Sequence, residues 1–78
     1  MEAIEVTARW DKSGRVTPLR FIHGGVPVQV EAAGRQWTDS AGLHVMVQAE
    51  GGRAFELVFD TQALHWYLGF EGTTRPVV

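Results

Sequence analysis

The sequence contains no cysteine. That excludes a disulfide scaffold and a thiolate-ligated zinc site, and it leaves no thiol nucleophile. No apolar run is long enough for a membrane-spanning helix or a signal-peptide core. There are two serines, Ser13 and Ser40, both in turn-forming stretches without the strand–turn–helix setting of a nucleophile elbow. Gly51-Gly52 is followed by Arg53-Ala54, not by the Lys-Ser/Thr of a phosphate-binding loop. Charge of one sign is scarce too: 7 basic and 9 acidic side chains give a net charge of −2. This excludes a strongly basic nucleic-acid binder while leaving room for a local patch.

What is present is ordinary globular material, 45% hydrophobic and 21% charged, in 78 residues. The whole chain, 1–78, reads as one small domain. At this length folding buries only about 60–65% of the unfolded chain's surface. Without disulfides or metal, packing must hold the domain together, within the chain or against a partner.

Apolar and polar residues alternate through most of the chain. Ile4, Val6, Ala8 and Trp10 interleave with Glu5, Thr7 and Arg9, the period of a half-buried strand. Asp11-Lys12-Ser13-Gly14 suits a turn with a left-handed closing glycine. Gly24-Gly25 suits a two-residue hairpin loop, which pairs His23 with Val26, Phe21 with Val28 and Leu19 with Val30 on one inward face. Pro27 then belongs on an edge or at a bulge. Val16 and Leu19 have opposite parity, which predicts a bulge near Thr17-Pro18. Arg35 to Thr38 reads as a short strand carrying Trp37.

In the second half, a loop at Glu50-Gly51-Gly52 pairs Val47 with Phe55, Val45 with Leu57 and Leu43 with Phe59. A loop at Asp60 to Ala63 pairs Phe59 with Leu64, Leu57 with Trp66 and Phe55 with Leu68. Between them the two turns place nine residues on one face, with Phe55, Leu57 and Phe59 common to both. A helix over Phe55 to Phe70 fits the apolar period less well, and glycines flank it badly. The expectation is an all-β domain: a small antiparallel meander of six to seven short strands, as a rolled sheet or SH3-like barrel.

The chemistry-bearing residues offer no catalytic constellation. Glu56 and Asp60 stand four residues apart on a strand, roughly 13 Å, wider than a glycosidase pair. The three histidines recur at 23, 44 and 65. The expected register puts His44 and His65 outward with Val58 between them, which does not gather them on one metal ion. No metal, cofactor or enzymatic activity is expected.

Two surfaces remain. The expected outer face of the C-terminal strands carries Met46–Glu56–Tyr67 in one row and His44–Val58–His65 in the next. This weakly charged, semi-apolar set is suited to a protein partner or a second copy of the chain. The alternative is that a covering segment, Pro76-Val77-Val78 or the Trp37 region, packs on it. The other surface is basic: Arg9, Arg15, Arg20 and Arg35 could bind single-stranded nucleic acid beside aromatic residues. Acidic residues leave that half of the chain neutral.

The string Pro18-Leu19-Arg20-Phe21-Ile22-His23-Gly24-Gly25-Val26-Pro27-Val28-Gln29-Val30 resembles the opening of a small uncharacterised bacterial all-β domain family. Trp37, the stretch Gly52 to Asp60 and Trp66-Tyr67-Leu68 are similar to that family's later segments. Similar segments form the C-terminal region of inactive Y-family DNA polymerase homologues of bacterial mutagenesis cassettes. The chain departs from the pattern at His23-Gly24-Gly25, where relatives carry a Trp-Arg-Gly hairpin, and at Leu43 to Val47, where they carry an aromatic-rich strand. The resemblance implies a cytoplasmic accessory or adaptor module near DNA-damage tolerance. It brings no catalytic residue.

Overall fold

A computed structural model describes residues 2–73, with the backbone alone described at Thr73. Seven strands follow one another: β1 (Ala3–Ile4), β2 (Val6–Trp10), β3 (Val16–His23), β4 (Val26–Asp39), β5 (Gly42–Ala49), β6 (Arg53–Asp60) and β7 (His65–Thr73). They form a single antiparallel sheet in the order β1-β7-β6-β5-β4-β3-β2. β1 lies on β7 at one end of that order and β2 lies on β3 at the other, with only Glu5 between them. Glu5 accepts the Ile22 backbone N–H at 3.0 Å. The first strand thus passes from one sheet edge to the other, and the meander is curled on itself.

Turn chemistry sets the hairpins. Asp11 Oδ1 accepts the backbone N–H groups of Ser13 and Arg15, and Gly14 closes the turn at φ +90°. Gly24-Gly25 forms the expected two-residue loop, with His23 opposite Val26 and Phe21 opposite Val28. Pro27 faces Ile22, a non-hydrogen-bonded site when His23–Val26 closes the hairpin. Its half of β4 pairs with β3, whereas the other half, from Val30, pairs with β5. The short strand expected at Arg35–Thr38 is therefore the far end of one 14-residue strand, broken by register shifts near Glu31 and Gly34.

The expected β5–β6 register holds throughout, Leu43–Phe59 to Val47–Phe55. Two other expectations need correction. Leu19 is not inward: it sits at the bulge opposite Thr7/Ala8 and is exposed, while Pro18 takes the inward place and is buried. The β6–β7 register is displaced by two residues, with Asp60 opposite His65, Phe59 opposite Trp66 and Leu57 opposite Leu68. Asp60 causes this. Its Oδ1 accepts the Gln62 and Ala63 N–H groups and its carbonyl accepts Leu64 N–H at 2.8 Å. Leu64 is forced to φ +59° in the turn and is 73% exposed.

A displacement of two preserves the face, so the core survives. Val16, Phe21, Val28, Leu43, Val45, Val47, Phe55, Leu57 and Trp66 are buried together. Phe21 meets Phe55 edge-on with centroids 4.9 Å apart, and Trp10 caps the cluster through Phe59 at 5.5 Å. Beyond Leu68 the parity changes. Gly69 is an extra residue, so Phe70 pairs with Glu56 and faces out, and Glu71 faces in to meet His23 at 3.1 Å.

Candidate functional site: a histidine–carboxylate cluster beside an apolar groove

The outer face of β4–β7 carries the residues that the alternation marks as outward. Register places Trp37, His44, Val58 and Tyr67 in one row, and Met46, Glu56 and Phe70 in the next. These rows differ from the expected ones because of the β6–β7 displacement. Tyr67 joins the His44 row, and His65 moves beside Asp60.

His44 and Val58 are outward by parity yet buried, 8% and 1% exposed. Trp37 stacks flat on the His44 ring, with centroids 4.9 Å apart and planes 7° from parallel. The Arg35 guanidinium also lies over that indole, 4.6 Å from its centroid. The Trp37 region thus packs on this face, while Pro76-Val77-Val78 lie outside the described residues.

Both ring nitrogens of His44 meet carboxylates. Nε2 lies 2.7 Å from Asp39 Oδ1, and Nδ1 is hydrogen-bonded to Glu56 Oε2. Each acid is the diagonal neighbour of His44 on an adjacent strand, since Trp37 and Val58 stand directly opposite it. Asp39 Oδ1 also accepts the Ala41 N–H at 2.8 Å, which ties the cluster to the β4–β5 turn. Burial by itself would lower the His44 pKa. The hydrogen bonds and charges of Asp39 and Glu56 outweigh it and hold the imidazole above the usual histidine value. The Asp39 carboxyl is held below its ordinary value, first by the His44 hydrogen bond and then by the Ala41 N–H.

Beside the cluster lies a shallow groove of about 380 Å³ lined by Ala32, Ala33, Gly34, Met46, Gln48 and Ala54. Small residues on β4 (Ala32, Ala33, Gly34) and β6 (Ala54) make the hollow, with Met46, Val47 and Gln48 of β5 between them. Phe70, 52% exposed, stands beyond it with its ring over Gly72. Of the six residues expected on an interaction face, Met46, Glu56, His65 and Tyr67 are half-buried and reach the surface. His44 and Val58 form the layer beneath. Tyr67 meets His65 at 6.3 Å between centroids.

The four arginines do not form one stripe. Arg9 and Arg20 are exposed on the outward side of β2–β3, opposite Thr17 and Thr7. Arg15 donates to the Gly34 carbonyl at 3.0 Å, and Arg35 lies on Trp37. Among the described residues no three His, Asp or Glu side chains are placed to hold a metal ion, and no helix is long and apolar enough to cross a membrane.

Asp39 and Phe70 were not legible as site residues. Asp39 reads as a turn former, and its reach to His44 depends on a diagonal. A glycine inside a strand, Gly69, was the available signal for the bulge that turns Phe70 out.

Fold and site define a small all-β module: a curled antiparallel meander with a histidine–carboxylate cluster and an apolar groove on one face. Comparison with known protein families, characterised proteins and solved structures gives no match.

Proposed function

We propose that this chain is a non-catalytic β module that binds protein through the outer face of β4–β7, and that its partner there is a second copy. The observation that carries the reading is a hollow and an exposed aromatic ring on one face, the Ala32–Gly34–Met46–Ala54 groove and the half-exposed Phe70. A two-fold axis would seat each Phe70 in the other copy's groove, an isologous contact. The one acid in the strip, Glu56, is engaged by His44. The molecule measures 36 × 29 × 22 Å, broad enough for the ~800 Å² per partner of a standard interface. Sedimentation velocity at high concentration tests this. The wild type should sediment as a dimer, and Met46→Glu and Phe70→Ser as monomers, with Tyr67→Ala weakened. A wild type that stays monomeric refutes self-association.

The resemblance to the bacterial all-β family supports a cytoplasmic setting, and the curled meander supports a likeness to small SH3-like barrels. A second reading is a single-stranded nucleic-acid-binding accessory in DNA-damage tolerance. It is favoured by the exposed Arg9 and Arg20 on one side of β2–β3 and by the resemblance to inactive Y-family homologues. Fluorescence anisotropy with an oligonucleotide should then show binding that weakens with salt and with Arg9→Ala and Arg20→Ala. Salt-independent or absent binding ends that reading.

A further inference from the structure

His44 has a proton requirement written into its geometry. Each ring nitrogen faces a carboxylate oxygen, Nε2 at Asp39 Oδ1 and Nδ1 at Glu56 Oε2. A neutral imidazole carries one N–H, and its second nitrogen presents a lone pair. That lone pair would confront a carboxylate lone pair at hydrogen-bond distance, inside a partly desolvated cluster. Only the doubly protonated ring donates to both acids.

We propose that His44 is a proton-controlled clasp across β4, β5 and β6, closed as the imidazolium and open when it loses one proton. Closed, it ties the β4 carboxylate of Asp39 and the β6 carboxylate of Glu56 to β5. It also places a cation against the Trp37 indole, over which Arg35 lies as well. Open, one N–H remains. Glu56, with 21% of its side chain exposed, needs that donor more than Asp39, which is 50% exposed and also has the Ala41 N–H. Asp39 is therefore the acid released, and the β4–β5 turn and Trp37 stack loosen with it.

The charged and titratable surroundings are few. β4 presents Asp39 and, across Trp37, Arg35; β6 presents Glu56, with Asp60 a row away; β7 presents Tyr67 and, beside Asp60, His65. Among the described residues neither Tyr67 nor His65 is hydrogen-bonded to His44. The raised pKa of His44 agrees with the closed state. On the self-association reading, on which this consequence rests, opening takes the cluster from one net negative charge to two. A second copy brings the same charge, so the paired form weakens as the clasp opens.

Long-range ¹H–¹⁵N NMR of the imidazoles between pH 5 and 10 tests the clasp, with His23 and His65 as internal comparisons. His44 should show two protonated ring nitrogens at pH 7 and lose one at higher pH. Trp37 fluorescence should change with the same midpoint, and His44→Gln should abolish that change. Asp39→Asn and Glu56→Gln should each bring the midpoint down. A His44 that is neutral at pH 7, or whose midpoint neither variant moves, overturns the proposal. Sedimentation over the same pH range separates the two readings. A constant monomer mass alongside an intact His44 titration upholds the clasp and refutes self-association.

Discussion

Replacing Gly42 by alanine should be among the most damaging single-methyl changes this protein can suffer. Gly42 opens β5 directly after the Ser40-Ala41 loop, at φ +134°. A Cβ there would lie 2.1 Å from the Phe59 carbonyl oxygen and 3.0 Å from its carbonyl carbon. Close carbon–oxygen contacts in sheets run at about 3.3–3.6 Å, so the β5 and β6 backbones would have to part by about 1.2 Å. Those strands are in register from the next residue, Leu43 opposite Phe59, and have no slack. Backbone strain of about 1–3 kcal/mol and overpacking of about 1–3 kcal/mol together amount to roughly 2–6 kcal/mol. A chain of this length has about 4–12 kcal/mol of stability in all. At about 4–8 °C per kcal/mol, the Tm should fall by roughly 10–50 °C. Thermal unfolding followed by far-ultraviolet circular dichroism and tryptophan fluorescence measures it. Gly51→Ala is the comparison: Gly51 shares a positive φ, +76°, but an added Cβ meets nothing within 4 Å. It should cost only the backbone strain, about 1 kcal/mol. A Gly42→Ala variant no less stable than Gly51→Ala would refute the close-approach argument.

Phe55 is fully buried at the centre of the core against Phe21, so Phe55→Ala should cost about 3–5 kcal/mol in urea unfolding; a loss below about 1 kcal/mol would contradict the assigned register. Leu64→Gly should stabilise slightly, by about 0.5 kcal/mol, because relief of a left-handed leucine exceeds the entropy of the glycine; a lowered Tm would mean the exposed Leu64 side chain packs on something. Stability should fall at both ends of the pH range. The carboxyls of Asp11, Asp39 and Asp60 are lowered, chiefly by hydrogen bonds from Ser13, His44 and the Ala63 N–H respectively. Their contribution is present above about pH 4 and is lost as pH falls through the lowered values. His44, held up by its two acids against burial, contributes fully below about pH 6.5 and loses that contribution as pH rises through its raised value. Chemical denaturation across pH should show the plateau between, and His44→Gln should abolish the alkaline fall; an alkaline fall that survives His44→Gln must have another source.

The sequence by itself determined the strand faces and most of the turns. Period-two alternation is a local property, so Leu43, Val45, Val47, Phe55, Leu57, Phe59 and Trp66 could be assigned inward before any pairing was known. Glycine and aspartate chemistry at 11–14, 24–25 and 50–52 fixed three hairpins, because φ > 0 and side-chain-to-backbone hydrogen bonds are set within a few residues.

Tertiary structure alone decided what depends on two segments meeting. The Asp60 turn can close with either of two registers of equal parity, and the choice follows from which N–H groups its carboxylate captures. The extra residue at Gly69 turned Phe70 outward, a change that alternation cannot express. The N-terminal strand's passage from β7 to β3 needed the sheet's curl. The cluster is the clearest case. His44 read as an exposed strand histidine, because its acids lie 5 residues before and 12 residues after it. Cross-strand diagonals bring them to its two nitrogens, and only the assembled sheet has diagonals.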